Sequence, residues 1–174
     1  MSVPAVRGAG GPVKLGRLLG KGGEGAVYEV LGQTDLVAKV YLKEIPAERA
    51  EKLKAMSQLL TPKLAALTAW PRDILYGARG GVAGFLMPKI SAHDVHEVYG
   101  PKSRQQIFPQ ADWRLLVRTA LNTARAFAVV HEAGILVADV NHGGVMVSED
   151  ATVRLIDCDS FQFTAGARTF LCEV

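Results

Sequence analysis

The chain has 174 residues, 49% of them hydrophobic, so it can bury a substantial core and does not read as disordered. Its 20 Lys and Arg exceed its 17 Asp and Glu by only three, and the basic residues are dispersed, which argues against a nucleic-acid partner. Two cysteines, Cys158 and Cys172, suit neither a zinc cluster nor a disulfide framework and point to a reducing cytoplasm. Residues 1–12 lack a signal-peptide pattern, and no apolar run approaches the ~18 residues needed to span a bilayer, so no membrane partner is expected.

In chain order, residues 1–12 are rich in Gly, Pro and Ala and are expected to form a flexible leader. From Val13 to Tyr41, β-prone runs are divided by a glycine-rich segment and by Gly32-Gln33-Thr34-Asp35, which predicts a three-stranded meander. The first divider, Gly20-Lys21-Gly22-Gly23-Glu24-Gly25-Ala26-Val27, fits G-x-G-x-x-G-x-V. Glycine lets a backbone approach phosphate oxygens closely, and the turn is expected to use positive φ. In Leu36-Val37-Ala38-Lys39, strand alternation puts Val37 and Lys39 on one side. A helix is expected from Ile45-Pro46 to about Leu60, with Glu48 and Glu51 near its positive end. Thr61-Pro62 ends it, a short helix follows over Lys63 to Thr68, and two strands are joined across Gly77 to Gly81.

Beyond the linker Pro88-Lys89-Ile90, a short helix is expected over Ala92 to Tyr99, then a polar loop from Gly100 to Gln110. The clearest helix runs from Asp112 to Ala133, with Asp112 near its start and Gly134 just past its end. Its apolar residues, from Trp113 and Val117 to Phe127 and Val130, cover an arc wide enough for contacts on more than one side. Val145-Met146-Val147 and Val153-Arg154-Leu155-Ile156 form a hairpin, with Asp139 before it and Asp157 after it.

Glycine loop, strand lysine, loop aspartate (Val137-Ala138-Asp139) and post-strand aspartate (Leu155-Ile156-Asp157-Cys158-Asp159) occur in the order used by protein kinases. From about Lys14 to its end the chain resembles the protein-kinase catalytic domain. Ala69-Trp70-Pro71, Gly84-Phe85-Leu86-Met87-Pro88 and Leu155-Ile156-Asp157-Cys158-Asp159-Ser160-Phe161-Gln162 are similar to a bacterial kinase-like subfamily with an L-I-D-x-D-S-F-Q motif. The resemblance implies an α+β, protein-kinase-like fold. A five-stranded antiparallel N-lobe with one main helix would occupy 13–87, a hinge 88–90, and a partial, mainly helical C-lobe 91–174. The expected chain stops soon after the D-F-G-equivalent region, short of the central helix that normally covers the 112–133 helix. That helix is therefore expected to carry an exposed apolar face open to a dimer or another partner.

The same resemblance implies ATP and Mg2+ as cofactors. Gly20, Gly22, Gly25 and Val27 would cover the nucleotide, Val37 would touch adenine and Lys39 the phosphates. Met87, Pro88 and Ile90 would form the adenine-facing linker, through the Pro88 carbonyl and the Ile90 amide. Glu51 is the expected partner of Lys39, with Glu48 as its rival. Asp157 would hold the metal, and Asp139 would accept a hydrogen bond from the substrate hydroxyl. Gly144 stands where kinases carry the asparagine for a second magnesium, so Asn141 and Asp159 become candidate metal ligands. Ala138 replaces the arginine of H-R-D and removes the cation that grips a phosphorylated activation segment. Cys158, in place of the D-F-G phenylalanine, reads as a small core residue.

His93-Asp94-Val95-His96-Glu97 does not match H-E-x-x-H and reads as a solvated short helix. The P-loop pattern G-x-x-x-x-G-K-[ST] is absent, which disfavours a P-loop NTPase. Three functions stay open. The chain is expected to be a Ser/Thr protein kinase domain passing the γ-phosphoryl group to a protein hydroxyl, a nucleotide-binding pseudokinase serving a regulatory protein as scaffold or switch, or a small-molecule phosphotransferase.

Overall fold

Short β-prone runs separated by glycine turns build a seven-stranded antiparallel sheet in the first part of the chain. A computed structural model describes residues 3–172. They divide into two compact units, one made of the chain up to Leu60 with Trp70–Lys89, the other of Thr61–Ala69 with Ile90 onward.

The first unit contains β1 (Val6–Gly8), β2 (Gly11–Val13), β3 (Leu15–Lys21), β4 (Gly25–Val30), β5 (Gln33–Tyr41), helix α1 (Ala47–Gln58), β6 (Asp73–Gly77) and β7 (Val82–Pro88). The sheet order is β2-β1-β6-β7-β5-β4-β3. Strands β3 to β7 and α1 are the expected five strands and main helix. The strands β1 and β2 correct the expected flexible leader. Gly11 turns the chain at φ +111, Val6 pairs with Val13 and Gly77, and the Ala9 amide donates to Asp73 Oδ2 at 3.0 Å. Composition suggested a loose segment, but the open edge of β6 supplied pairing partners.

One face of this sheet makes the core, from Val6, Val30, Ala38, Val40, Leu75 and Leu86. Side chains alternate across a strand, so the partners Val27↔Lys39, Val37↔Met87 and Lys39↔Phe85 share the opposite face. Helix α1 buries Lys52, Leu53 and Met56, and its Met56 carbonyl accepts the indole N–H of the fully buried Trp70 at 2.7 Å.

The second unit begins with α2 (Pro62–Leu67), whose Thr61 cap accepts from the Leu64 amide at 3.2 Å. This helix was expected within the N-lobe span. It belongs with the second unit because Leu64 is buried there and the Ala69 amide donates to the Leu155 carbonyl at 2.8 Å. After β8 (His93–Asp94) and α3 (Val95–Tyr99), helix α4 (Pro101–Ile107) replaces the expected polar loop. Pro101 opens its first turn, Ser103 Oγ donates to the Gly100 carbonyl, and Arg104 Nη1 donates back to the Val98 carbonyl at 2.9 Å.

Helix α5 (Trp113–Glu132) starts on Asp112, whose Oδ1 accepts the Leu115 amide at 2.9 Å, and is followed by Gly134 at φ +73. It buries Thr119, Ala126 and Val130. Trp113, Val117 and Leu121, one turn apart, stay 75%, 47% and 48% exposed, so the expected apolar surface is present on this helix. Next come β9 (Ile135–Leu136), β10 (Val145–Val147), β11 (Val153–Leu155), β12 (Gln162–Ala165) and β13 (Arg168–Phe170). They form two small sheets, β11-β10-β8 and β13-β12-β9. Among the described residues no helix is long and apolar enough to cross a membrane.

Candidate functional site

In the first unit, β3 and β4 are joined through Gly22–Glu24, and the Gly22 amide donates to the Gly25 carbonyl at 2.9 Å. No residue of this loop has positive φ; the positive-φ glycines are Gly11, Gly32, Gly80, Gly134 and Gly166. That corrects the expectation of a left-handed turn here. Only Gly25 is sterically tight, since a Cβ there would lie 3.1 Å from the Val40 carbonyl oxygen. A Cβ at Gly20 or Gly23 would meet nothing within 4 Å, and at Gly22 only the Gly25 oxygen at 3.9 Å. The fold therefore requires glycine at one loop position and leaves the others to another demand.

Lys39 is half-buried in β5, beside Val27 of β4 and Phe85 of β7, with Nζ 5.9 Å from the Phe85 ring centroid. Val37 and Met87 continue the same face toward the end of β7. The backbones of β5 and β7 press together at Gly84, where a Cβ would sit only 2.0 Å from the Lys39 carbonyl oxygen. Pro88 pairs with Leu36 as the last residue of β7, so it closes the strand on the core side rather than opening a linker. The Lys89 amide donates to the Asp35 carbonyl at 2.8 Å, and Ile90 begins the second unit. Glu48 and Glu51 both lie exposed on α1.

In the second unit, Asp139 is exposed between β9 and a 3-10 turn at His142–Gly144. Asn141 Nδ2 donates to Asp139 Oδ2 at 3.1 Å, while Asn141 Oδ1 accepts the Gly144 amide at 3.1 Å. The Gly144 carbonyl accepts the Ile156 amide at 3.0 Å, which ties this loop to the residue before Asp157. Asp157 leaves β11 in the left-handed region, φ +55 and ψ 35, a conformation that aspartate tolerates better than most residues. Its side chain is exposed, whereas Cys158 and Asp159 turn inward at 1% and 3% exposure. The expected core role of Cys158 agrees with that burial.

Sequence reasoning did not register Asn141 as a partner of Asp139, nor the pairing of Glu24 with Arg49, 2.6 Å between Oε2 and Nη2. The first is a contact between residues two apart in one loop, and the second joins the glycine loop to a helix 25 residues on. The histidines of 93–97 have local carboxylate partners, His93 Nδ1 3.3 Å from Glu97 Oε2 and His96 Nδ1 3.7 Å from Asp94 Oδ2, and the His96 ring also lies 5.3 Å from that of the more distant His142. Among the described residues no three His, Cys, Asp or Glu side chains converge as a metal cage.

No family model matches the chain. It is 47% identical over 162 residues, 92% of its length, to Protein kinase YegI of Escherichia coli strain K12, and 46% identical over 164 residues to the protein of that name in Escherichia coli O157:H7. Among solved structures it is similar to the ROP18 kinase domain in complex with AMP-PNP and sucrose, with a TM-score of 0.62 and 19% identity over 95% of this chain and 58% of that one. A Toxoplasma gondii rhoptry antigen kinase domain gives a TM-score of 0.59 and 16% identity, over 91% of this chain and 53% of that one. The chain has a protein-kinase-like fold. It spans a quarter of the length of the curated relatives it matches. Within a kinase-like frame, the glycine loop and Lys39 belong to the first unit and Asp139 and Asp157 to the second.

Proposed function

We propose that this kinase-like domain binds ATP with Mg2+ and transfers the γ-phosphoryl group to a serine or threonine hydroxyl of a protein. The observation that carries the reading is the sheet face of Val27, Val37, Lys39 and Met87. It sets the Lys39 ammonium beside Val27, Val37 and Met87 on the face opposite the core, with Glu29 opposite Val37 and ion-paired to Arg17 and Lys89, and next to a loop in which the fold requires glycine only at Gly25. Apolar side chains suit a purine ring, and an ammonium at one end suits phosphate. Gly20, Gly22 and Gly25 would cover the phosphates, Met87, the Pro88 carbonyl and the Ile90 amide would meet adenine, and Glu51 or Glu48 would steady Lys39.

Magnesium is usually held by one or two carboxylates together with substrate phosphates, so a three-ligand protein cage is not needed. The exposed Asp157 fits that requirement, with Asp159 and Asn141 as supporting candidates. When bound, the metal would neutralise charge on the transferring phosphate. Asp139, oriented by Asn141, would accept the proton of the acceptor hydroxyl as its oxygen meets the γ-phosphorus and ADP departs. The exposed stripe of α5 would meet a second copy of the chain.

A second reading rests on Gly144, which offers no metal ligand although a Cβ there would meet nothing within 4 Å. Steric need does not explain that glycine, so a pseudokinase that binds nucleotide without turnover has its own support. Thermal-shift titration with ATP, with and without Mg2+, run beside radiolabelled phosphate transfer, separates the two. ATP at about 100 times its dissociation constant should add roughly 2.7 kcal/mol of stability. Asp157→Ala should lose the metal-dependent part of that shift, and Asp139→Asn should lose transfer while keeping binding. Binding without phosphate incorporation would favour the pseudokinase, and unchanged behaviour of both variants would remove these site assignments.

A further inference from the structure

Glu24 sits at the tip of the glycine loop, directly before β4, and its carbonyl accepts the Leu42 amide at 2.9 Å. Its carboxylate meets Arg49 in a two-pronged pair, Nη2 to Oε2 at 2.6 Å and Nη1 to Oε1 at 3.2 Å. The two partners differ in burial. The Arg49 side chain is 11% exposed and its guanidinium lies 4.7 Å from the centroid of the buried Tyr41 ring, whereas the Glu24 side chain is 63% exposed. Arginine is thus packed between the end of β5 and the first turn of α1, and glutamate is the exposed partner carried by the loop.

A cation in the first turn opposes the helix dipole, so α1 itself gains nothing from Arg49 at that position. Tyr41 and Glu24 give the residue its reason. Two parallel N–H···O bonds fix orientation as well as distance, and a stacked, planar guanidinium loses little further freedom on pairing. Other ties of the loop are backbone ones, the β3–β4 ladder at Gly20 and Val27 and the Gly22 amide on the Gly25 carbonyl at 2.9 Å, so the Glu24–Arg49 pair adds a side-chain link from the loop to α1.

We propose that Glu24 and Arg49 form a latch that holds the glycine loop against the start of α1 and so positions it for the nucleotide phosphates. The proposal rests on the nucleotide-binding reading given above and adds two positioning residues to it. Through this latch the loop and the first turn of α1 move together, so a disturbance of the helix start reaches the loop amides.

The experiment is a double-mutant cycle of Glu24→Gln, Arg49→Met and the pair, with Arg49→Lys as a gentler variant that keeps charge and loses the fork. Amide hydrogen exchange of residues 22–26 is followed in the free protein, and ATP affinity is followed by titration calorimetry. Each single change should speed exchange and weaken ATP by about five- to tenfold, and the double variant should be no worse than either single, as expected for one shared interaction. Arg49→Lys should fall between wild type and Arg49→Met. Effects that simply add, or exchange that stays at the wild-type rate, would overturn the latch. Faster exchange with ATP affinity unchanged would overturn its positioning role. A wild type that binds no ATP defeats the nucleotide reading and, with it, the positioning role, while the exchange data still decide whether the latch exists.

Discussion

Gly22 and Gly84 illustrate two opposite reasons for a glycine within one sheet. At Gly22 the backbone is not left-handed and a Cβ has room, so Gly22→Ala should leave the melting temperature level or raise it, by up to about 1 kcal/mol of stability. The same change should weaken ATP by on the order of tenfold, or about 1.4 kcal/mol, because the added methyl meets the ligand and not the protein. Loss of stability without loss of affinity would show that the loop glycines serve the fold. At Gly84 the added Cβ would collide with the Lys39 carbonyl 2.0 Å away. Gly84→Ala should therefore cost at least about 2 kcal/mol in urea unfolding, since β5 and β7 cannot part without breaking their ladder. A midpoint equal to wild type would mean that the strands have slack there.

Apart from α5, the elements in the second unit are short, and several of their ends are tied by side chains. The turn between β10 and β11 places Ala151 at φ +65 and buries it, with its carbonyl accepting Asn122 Nδ2 from α5 at 2.8 Å. Asp150 Oδ1 accepts the Thr152 amide at 2.9 Å, and that backbone hydrogen bond is the main cause holding its carboxyl below the ordinary aspartate value of 3.8. The sign follows from linkage. A carboxyl lowered by folding contributes stability above its unfolded value, and the contribution is lost as pH falls through the folded value. In urea titrations run from pH 6 downward, about the range where carboxylates begin to protonate, Asp150→Asn should lose less stability than wild type over the acid limb. Parallel curves for the two proteins would assign the acid sensitivity to other carboxylates.

At the scale of the molecule, the α5 stripe departs from inward packing along one line of a single helix in the described second unit. Trp113, Val117 and Leu121 present three large apolar groups on one line, the arrangement that favours association of helices. Light scattering should show the mass of the wild type rising above the monomer with concentration, and Trp113→Glu should suppress the rise. A monomer mass at every concentration would sink the second-copy expectation.

Much of the frame was legible from residues alone. The G-x-G-x-x-G-x-V run, the alternation of Val37 and Lys39, the Asp112 cap and Gly134 stop of α5, and the order of Asp139 and Asp157 are local patterns, and local patterns survive without a partner in space. What misled were segments whose structure is decided by distant neighbours. The Gly/Pro-rich start became β1 and β2 because β6 had an open edge, and Thr61–Ala69 joined the second unit because Leu155 offered a carbonyl. The 100–110 stretch is an exception, since it became α4 through short-range ties, Pro101 in its first turn and Arg104 on the Val98 carbonyl, while β12 is held by the more distant β9. The guanidinium of Arg49 on Glu24 belongs to the same class as β12, whereas the amide of Asn141 on Asp139 is a contact within one loop. Sequence by itself determined which residue types stand at which strand, cap and turn, because those choices are governed by backbone sterics and periodicity. Only the tertiary structure decided which loops hold which side chains, because hydrogen bonds and ion pairs between remote residues exist only after the strands have brought their ends together.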